Sequence, residues 1–112
     1  MELRAVCILT SDAPRLAGFY AALLKEEPFV EGSHYTFVRS KLAVYDPGDV
    51  KTAEDKNMSV IFETEDVDSE YARLTAELPG IDMTSPPEKR PWGAYSFWLR
   101  DPDGNTVSIA EK

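Results

Sequence analysis

The chain has one cysteine, Cys7, and one histidine, His34, among 112 residues. A single thiol excludes an internal disulfide, a zinc ribbon and a Cys-x-x-Cys redox pair. Basic residues are scarce as well. Twelve Lys and Arg stand against 20 Asp and Glu, and the formal net charge of −8 would repel a polyphosphate backbone, so nucleic acid is not an expected partner. Long apolar runs are missing: Ala21-Ala22-Leu23-Leu24 is typical, whereas a membrane helix needs about 20 such residues. Met1-Glu2-Leu3-Arg4 does not open a basic-then-apolar leader, which gives the cytoplasm as the expected location and no membrane partner. What is present is one domain's worth of chain, 43% apolar and 29% charged, long enough to bury about 65% of its surface.

Shifting the sequence by 54 residues aligns its punctuation and reveals an internal repeat. Asp12 falls on Asp66, each after an extended apolar segment (Ala5 to Leu9, Ser59 to Phe62) and each a candidate helix N-cap. The following stripes, Ala13, Ala17, Tyr20, Leu24 and Val67, Tyr71, Leu74, Leu78, share one spacing and paint one helix face. Pro14 is tolerated in a first turn, and Pro28 and Pro79-Gly80 close the two helices. Short strands follow. Tyr35 to Val38 and Leu42 to Tyr45 flank Arg39-Ser40-Lys41, with a further strand near Phe29; Ala94 to Arg100 and Thr106 to Ala110 flank Asp101-Pro102-Asp103-Gly104-Asn105. In that last turn proline presets φ and Gly104 supplies a left-handed residue. The polar stretch from Asp46 to Asn57 has no periodicity and reads as a linker, which divides the chain into module 1 (1–46), linker (47–57) and module 2 (58–112). One helix per half among several strands predicts α+β architecture with antiparallel or mixed sheets, whose open faces form a cup.

The residues that carry this pattern are Asp12 followed by Phe19-Tyr20, Asp66-Val67-Asp68, Arg90-Pro91-Trp92-Gly93 and Phe97-Trp98-Leu99-Arg100-Asp101-Pro102-Asp103-Gly104-Asn105. Together they resemble the vicinal oxygen chelate superfamily, which includes glyoxalases, extradiol dioxygenases, fosfomycin-modifying enzymes and bleomycin resistance proteins. The resemblance covers nearly the whole chain and implies two βαβββ modules forming an eight-stranded open barrel, usually in a homodimer. It also implies three positions for the ligands of a divalent metal, and here those positions hold Ala5, Ser59 and Ser108. Such ions need imidazole or carboxylate donors, so no metal and no cofactor is expected. The remaining donors are His34, Glu31, Glu63 and Glu111, of which Glu63 shares a strand face with Ser59 and Ile61.

Counting back from the turn with Asp101 opposite Asn105 sets Trp98 opposite Ser108 and Ser96 opposite Ala110. Phe97 and Leu99 then share the other face with Ile109 and Val107. Because the resemblance turns Ser108 into the cup, Trp98 turns with it, either filling the space or offering an aromatic platform. Trp92 suits a dimer seam or ligand stacking equally. Tyr35 and Phe37 share a face, core or cup according to a turn register that the sequence leaves open. Cys7 reads as an inert thiol, Tyr20 and Tyr71 as core, and Asp12, Asp66, Asp101 and Asp103 as caps and turn residues.

Residues 1–56 carry 7 basic and 9 acidic groups, and residues 57–112 carry 5 and 11. The excess acidity serves solvation and capping at the second helix, and it would also favour a cationic ligand. The leading expectation is a metal-free small-molecule binder of the bleomycin resistance type, conferring antibiotic resistance by sequestration. Its ligand would be planar or aromatic and preferably cationic, held by Trp98, Trp92, Tyr35, Phe37, Ser59, Ser108 and Glu63. The alternatives are a metal-dependent lyase, transferase or dioxygenase with displaced ligands, and a ligand-free structural or interaction subunit.

Overall fold

A computed structural model describes residues 1–112. The element order is β1 (Val6–Leu9), α1 (Ala13–Leu24), β2 (Phe29–Glu31), β3 (His34–Phe37), β4 (Leu42–Tyr45), β5 (Ser59–Thr64), α2 (Val67–Glu77), β6 (Asp82–Lys89), β7 (Tyr95–Arg100) and β8 (Thr106–Glu111). The chain separates into two compact units, Met1–Ala53 and Glu54–Lys112. Each holds one helix and one four-stranded sheet, in the orders β1-β4-β3-β2 and β5-β8-β7-β6. In both, the first strand runs parallel to the last, and the other pairings are antiparallel. The fold is therefore α+β, a βαβββ module repeated twice. No helix is long and apolar enough to cross a membrane.

The repeat extends to the caps. The Oδ1 of Asp12 accepts the backbone N–H of Arg15 at 3.2 Å, and that of Asp66 accepts Ser69 at 3.1 Å. Each satisfies one of the donors that a helix start leaves without an intrahelical partner. Helix α1 stops at Lys25, whose φ of 51° is left-handed and whose N–H returns to the Ala21 carbonyl. Its buried face is Ala13, Leu16, Ala17, Tyr20 and Leu23, packed on β3 and β4. Leu24, assigned to the stripe by spacing, is only half-buried, and Leu16 and Leu23 take that role. In the second unit Val67 and Leu74 of α2 are buried, as are Phe97, Leu99, Val107 and Ile109 of the sheet, and Tyr71 meets Phe97 edge-on with centroids 5.2 Å apart.

Strand β6 has no counterpart in the strands read from the sequence. It carries Pro86 and Pro87, and its pairing with β7 slips between Met83 and Ser85 and again between Ser85 and Glu88. Proline cannot donate to a ladder, and the strand survives because it lies at the sheet edge. The β7–β8 turn forms as its residues dictate. Asp101 Oδ1 accepts the N–H groups of Asp103 and Asn105, both at 2.9 Å, its Oδ2 accepts Asn105 Nδ2 at 2.8 Å, and Gly104 has φ of 82°. Trp98 consequently pairs with Ser108 and Ser96 with Ala110, the register counted from the turn.

Candidate functional site

The second sheet buries Phe97, Leu99, Val107 and Ile109 on the α2 side, so the alternate residues form its other face. The registers set them in rows across four strands. One row is Ile61, Ser108, Trp98 and Ser85; a second is Glu63, Ala110, Ser96 and Glu88; a third is Ser59, Thr106, Arg100 and Asp82. Ser59, Glu63, Trp98 and Ser108, assigned to the site from sequence, are thus brought onto one face. Ser108 is buried in the floor, Trp98 is half-buried, and Ile61 is 68% exposed in the middle of the edge strand. Ile61 and Trp98 stand two strands apart in this row, with Ser108 between them.

Sequence reasoning assigned no role to Arg90, the residue that organises this face. It follows β6 and is only 7% exposed. Its Nε donates to Ser96 Oγ at 2.9 Å, and its Nη2 donates to Ser85 Oγ at 2.8 Å and to the Ser96 carbonyl at 3.1 Å. Nη1 donates to Glu88 Oε1, which completes a charge-assisted pair. The guanidinium carbon lies 4.1 Å from the centre of the Trp98 ring, within the range of a cation–π contact. An internal planar cation therefore already occupies one side of the indole. A second cation stacked on Trp98 would sit close to the first. The readable signal was Ser96-x-Trp98 facing Glu88 and Ser85, with Arg90 two residues beyond Glu88 on the same face, a spacing that the two prolines of β6 disguise.

The pairing also places Tyr35 and Phe37, which the sequence left open between core and cup. Tyr35 pairs with Val44 and Phe37 with Leu42, and Phe37, Val44 and Leu42 are buried in the core beneath α1, with Phe37 at 0% exposure. The residues alternating with them, Thr36, Ala43 and Cys7, make up the other face of that sheet. Tyr35 and Phe37 therefore belong to the core side. Trp92 stands in the β6–β7 turn, 69% exposed and outside the cross-strand rows. Ala5 precedes β1 and is exposed.

Beside the Ser59 row lies an open polar recess of about 350 Å³, lined by Glu54, Asp55, Lys56, Arg100, Gly104 and Thr106. Arg100 there stands 3.8 Å from Asp82. The shifted titrating groups lie elsewhere. On the α2 side the Tyr95 hydroxyl donates to Asp68 at 2.6 Å, which raises its pKa, and the Ser69 hydroxyl and N–H lower that of Asp66. In the first unit, burial pushes the Cys7 thiol up.

The divalent ion implied by the resemblance can be tested against the donors present. Ser59 and Ser108 offer hydroxyls, Glu63 one carboxylate, and Glu88 is engaged by Arg90. No three His, Cys, Asp or Glu side chains of the chain converge to hold a metal. The residues do not fit such an ion.

Several solved structures share this fold. A protein of unknown function from Agrobacterium tumefaciens str. C58 superposes with a TM-score of 0.83 at 23% identity, over 100% of this chain and 94% of that one. TioX from Micromonospora sp. ML1 gives 0.74 at 20% identity, over 96% and 97%. A lactoylglutathione lyase from Agrobacterium tumefaciens gives 0.71 at 22% identity, over 96% and 91%. Identities this low speak for the fold alone. Among curated sequences, the uncharacterized protein YetH of Bacillus subtilis (strain 168) is 26% identical over 72 residues, which is 64% of this chain and 58% of that protein's length. Residues 3–109 match the model of the Glyoxalase/Bleomycin resistance protein/Dioxygenase superfamily, and the chain belongs to that superfamily.

Proposed function

We propose that the protein binds a small aromatic molecule on the open face of its second sheet and acts by capture, without a metal. The observation that carries this reading is the Trp98 indole, half-buried on the sheet and braced by the buried Arg90 guanidinium at 4.1 Å. A ring fixed in this way loses little conformational freedom when a ligand stacks on it. Ile61 extends the apolar surface, Glu63 and Ser59 supply polar groups at its margin, and the recess beside the Ser59 row leaves room for a substituent. The donor set at the positions implied for a metal, Ala5, Ser59 and Ser108, favours binding over metal-assisted chemistry. Sequestration of a toxic compound, as in bleomycin resistance proteins, and a homodimer are parts of the same reading.

The test is fluorescence titration with planar aromatic compounds in a Trp92→Phe background, where Trp98 is the remaining tryptophan. Stacking contributes about 0.5–1.5 kcal/mol beyond burial, so Trp98→Ala, which loses the fluorophore and is titrated by calorimetry beside the parent, should weaken binding about tenfold once lost contact area is included. Unchanged affinity in Trp98→Ala refutes the site. Near-stoichiometric Ni, Zn, Mn or Fe in protein purified without chelator refutes the metal-free reading.

A further inference from the structure

The geometry points to Arg90 as an anion-recognition residue: the second sheet takes an aromatic ligand bearing a carboxylate or similar anionic group, which replaces Glu88 on the guanidinium. This rests on Trp98 as the ligand's platform and adds the charge that the ligand must carry.

The guanidinium has two kinds of partner. Ser96 Oγ, the Ser96 carbonyl and Ser85 Oγ hold Nε and Nη2 at 2.8–3.1 Å. These are neutral groups of the sheet itself, and they fix the plane of Arg90 whether or not Glu88 is present. The charge is balanced by Glu88 alone, through Nη1. The two members of that pair differ in burial, since the Arg90 side chain is 5% exposed and that of Glu88 is 55% exposed. Glu88 Oε1 also accepts the Ser85 hydroxyl at 3.3 Å, but the carboxylate is already partly hydrated and regains the rest of its water on leaving. An uncompensated buried guanidinium, by contrast, is strongly unfavourable. The pair is therefore built for exchange, one carboxylate for another. The backbone agrees, because the stretch from Ser85 to Glu88 contains Pro86 and Pro87 and falls out of the regular ladder.

The same contacts choose the ligand. A ring lying on the exposed part of Trp98 is next to a guanidinium whose carbon is 4.1 Å from the indole centre. An anionic substituent on that ring meets Arg90 directly, whereas an ammonium would meet a like charge in a site where screening is weak. The specificity runs opposite to the net charge of −8, because the local buried cation outweighs screened surface carboxylates at contact distance.

Three matched probes decide it: 2-naphthoate, 2-naphthamide and 2-naphthylmethylammonium, titrated calorimetrically into the full chain. Binding of naphthoate about tenfold tighter than naphthamide, with the ammonium weakest, is the expected order. Glu88→Gln should tighten naphthoate about fivefold and leave naphthamide within about twofold. Equal affinity of acid and amide for the unmodified protein, both lost in Trp98→Ala, overturns the role of Arg90 and leaves the Trp98 platform standing. Glu88→Gln weakening all probes alike also overturns it, since Glu88 would then only support the strand. If no probe binds at millimolar concentration, the platform and the anion site fall together.

Discussion

Asp101 offers the sharpest test of how local chemistry sets the register of the site. Its carboxylate is buried and accepts three N–H groups, from the backbone of Asp103 and Asn105 at 2.9 Å and from Asn105 Nδ2 at 2.8 Å. Asp101→Ala removes all three acceptor contacts. Hydrogen bonds to a charged group contribute about 1.5–3 kcal/mol each, but Asp103 and Asn105 are half-exposed and their freed N–H groups find water. The loss per bond is then nearer 1 kcal/mol, or about 2–4 kcal/mol in all. For a chain of this length the unfolding entropy makes 1 kcal/mol equivalent to about 4 °C, so the melting temperature should fall by about 8–16 °C. Urea and thermal unfolding followed by circular dichroism measure both quantities. Asp101→Asn, which keeps one acceptor oxygen, should fall between the two proteins. The reasoning is refuted if Asp101→Ala unfolds within about 0.5 kcal/mol of the original chain, because Pro102, Gly104 and the strand pairs would then hold the turn unaided.

Phe97→Ala empties a fully buried position and removes the edge-on contact with Tyr71. It should cost about 3–5 kcal/mol in a urea melt, and a loss below 1 kcal/mol would place the core of this unit elsewhere. Acid stability should depend on Asp66, whose carboxyl is held below the ordinary range by the Ser69 hydroxyl and N–H. A lowered folded-state pKa contributes stability above the ordinary carboxylate pKa and loses it as pH falls through the folded value. Asp66→Asn, which can still cap, should flatten that acid limb by lowering stability at neutral pH while leaving it nearly unchanged near pH 2, as melts from pH 2 to 7 would show.

Much of this architecture was legible in the sequence because it rests on local rules. Asp12 and Asp66 cap helices through contacts three residues away, and Asp101 to Asn105 close a hairpin within five residues. From that turn, strict alternation carries Trp98 to Ser108 and separates it from Phe97 and Leu99. The two modules, their sheet class and the grouping of Ser59, Glu63, Trp98 and Ser108 on one face follow from those short-range constraints together with the family resemblance.

Long-range pairing decided the rest. Alternation shows that Tyr35 and Phe37 share a face, but only the pairing with Val44 and Leu42 beneath α1 shows that it is the core face. Strand β6 forms against propensity because an edge position spares Pro86 and Pro87 the hydrogen bonds that they cannot make. The consequence is chemical as well as architectural. Once that bulged strand is in place, Arg90 reaches Ser85, Ser96 and Trp98, and a face that composition described as acidic acquires a buried cation at its centre. Net charge is a sum over the surface, whereas recognition depends on which charge the tertiary fold brings to contact distance and shields from water.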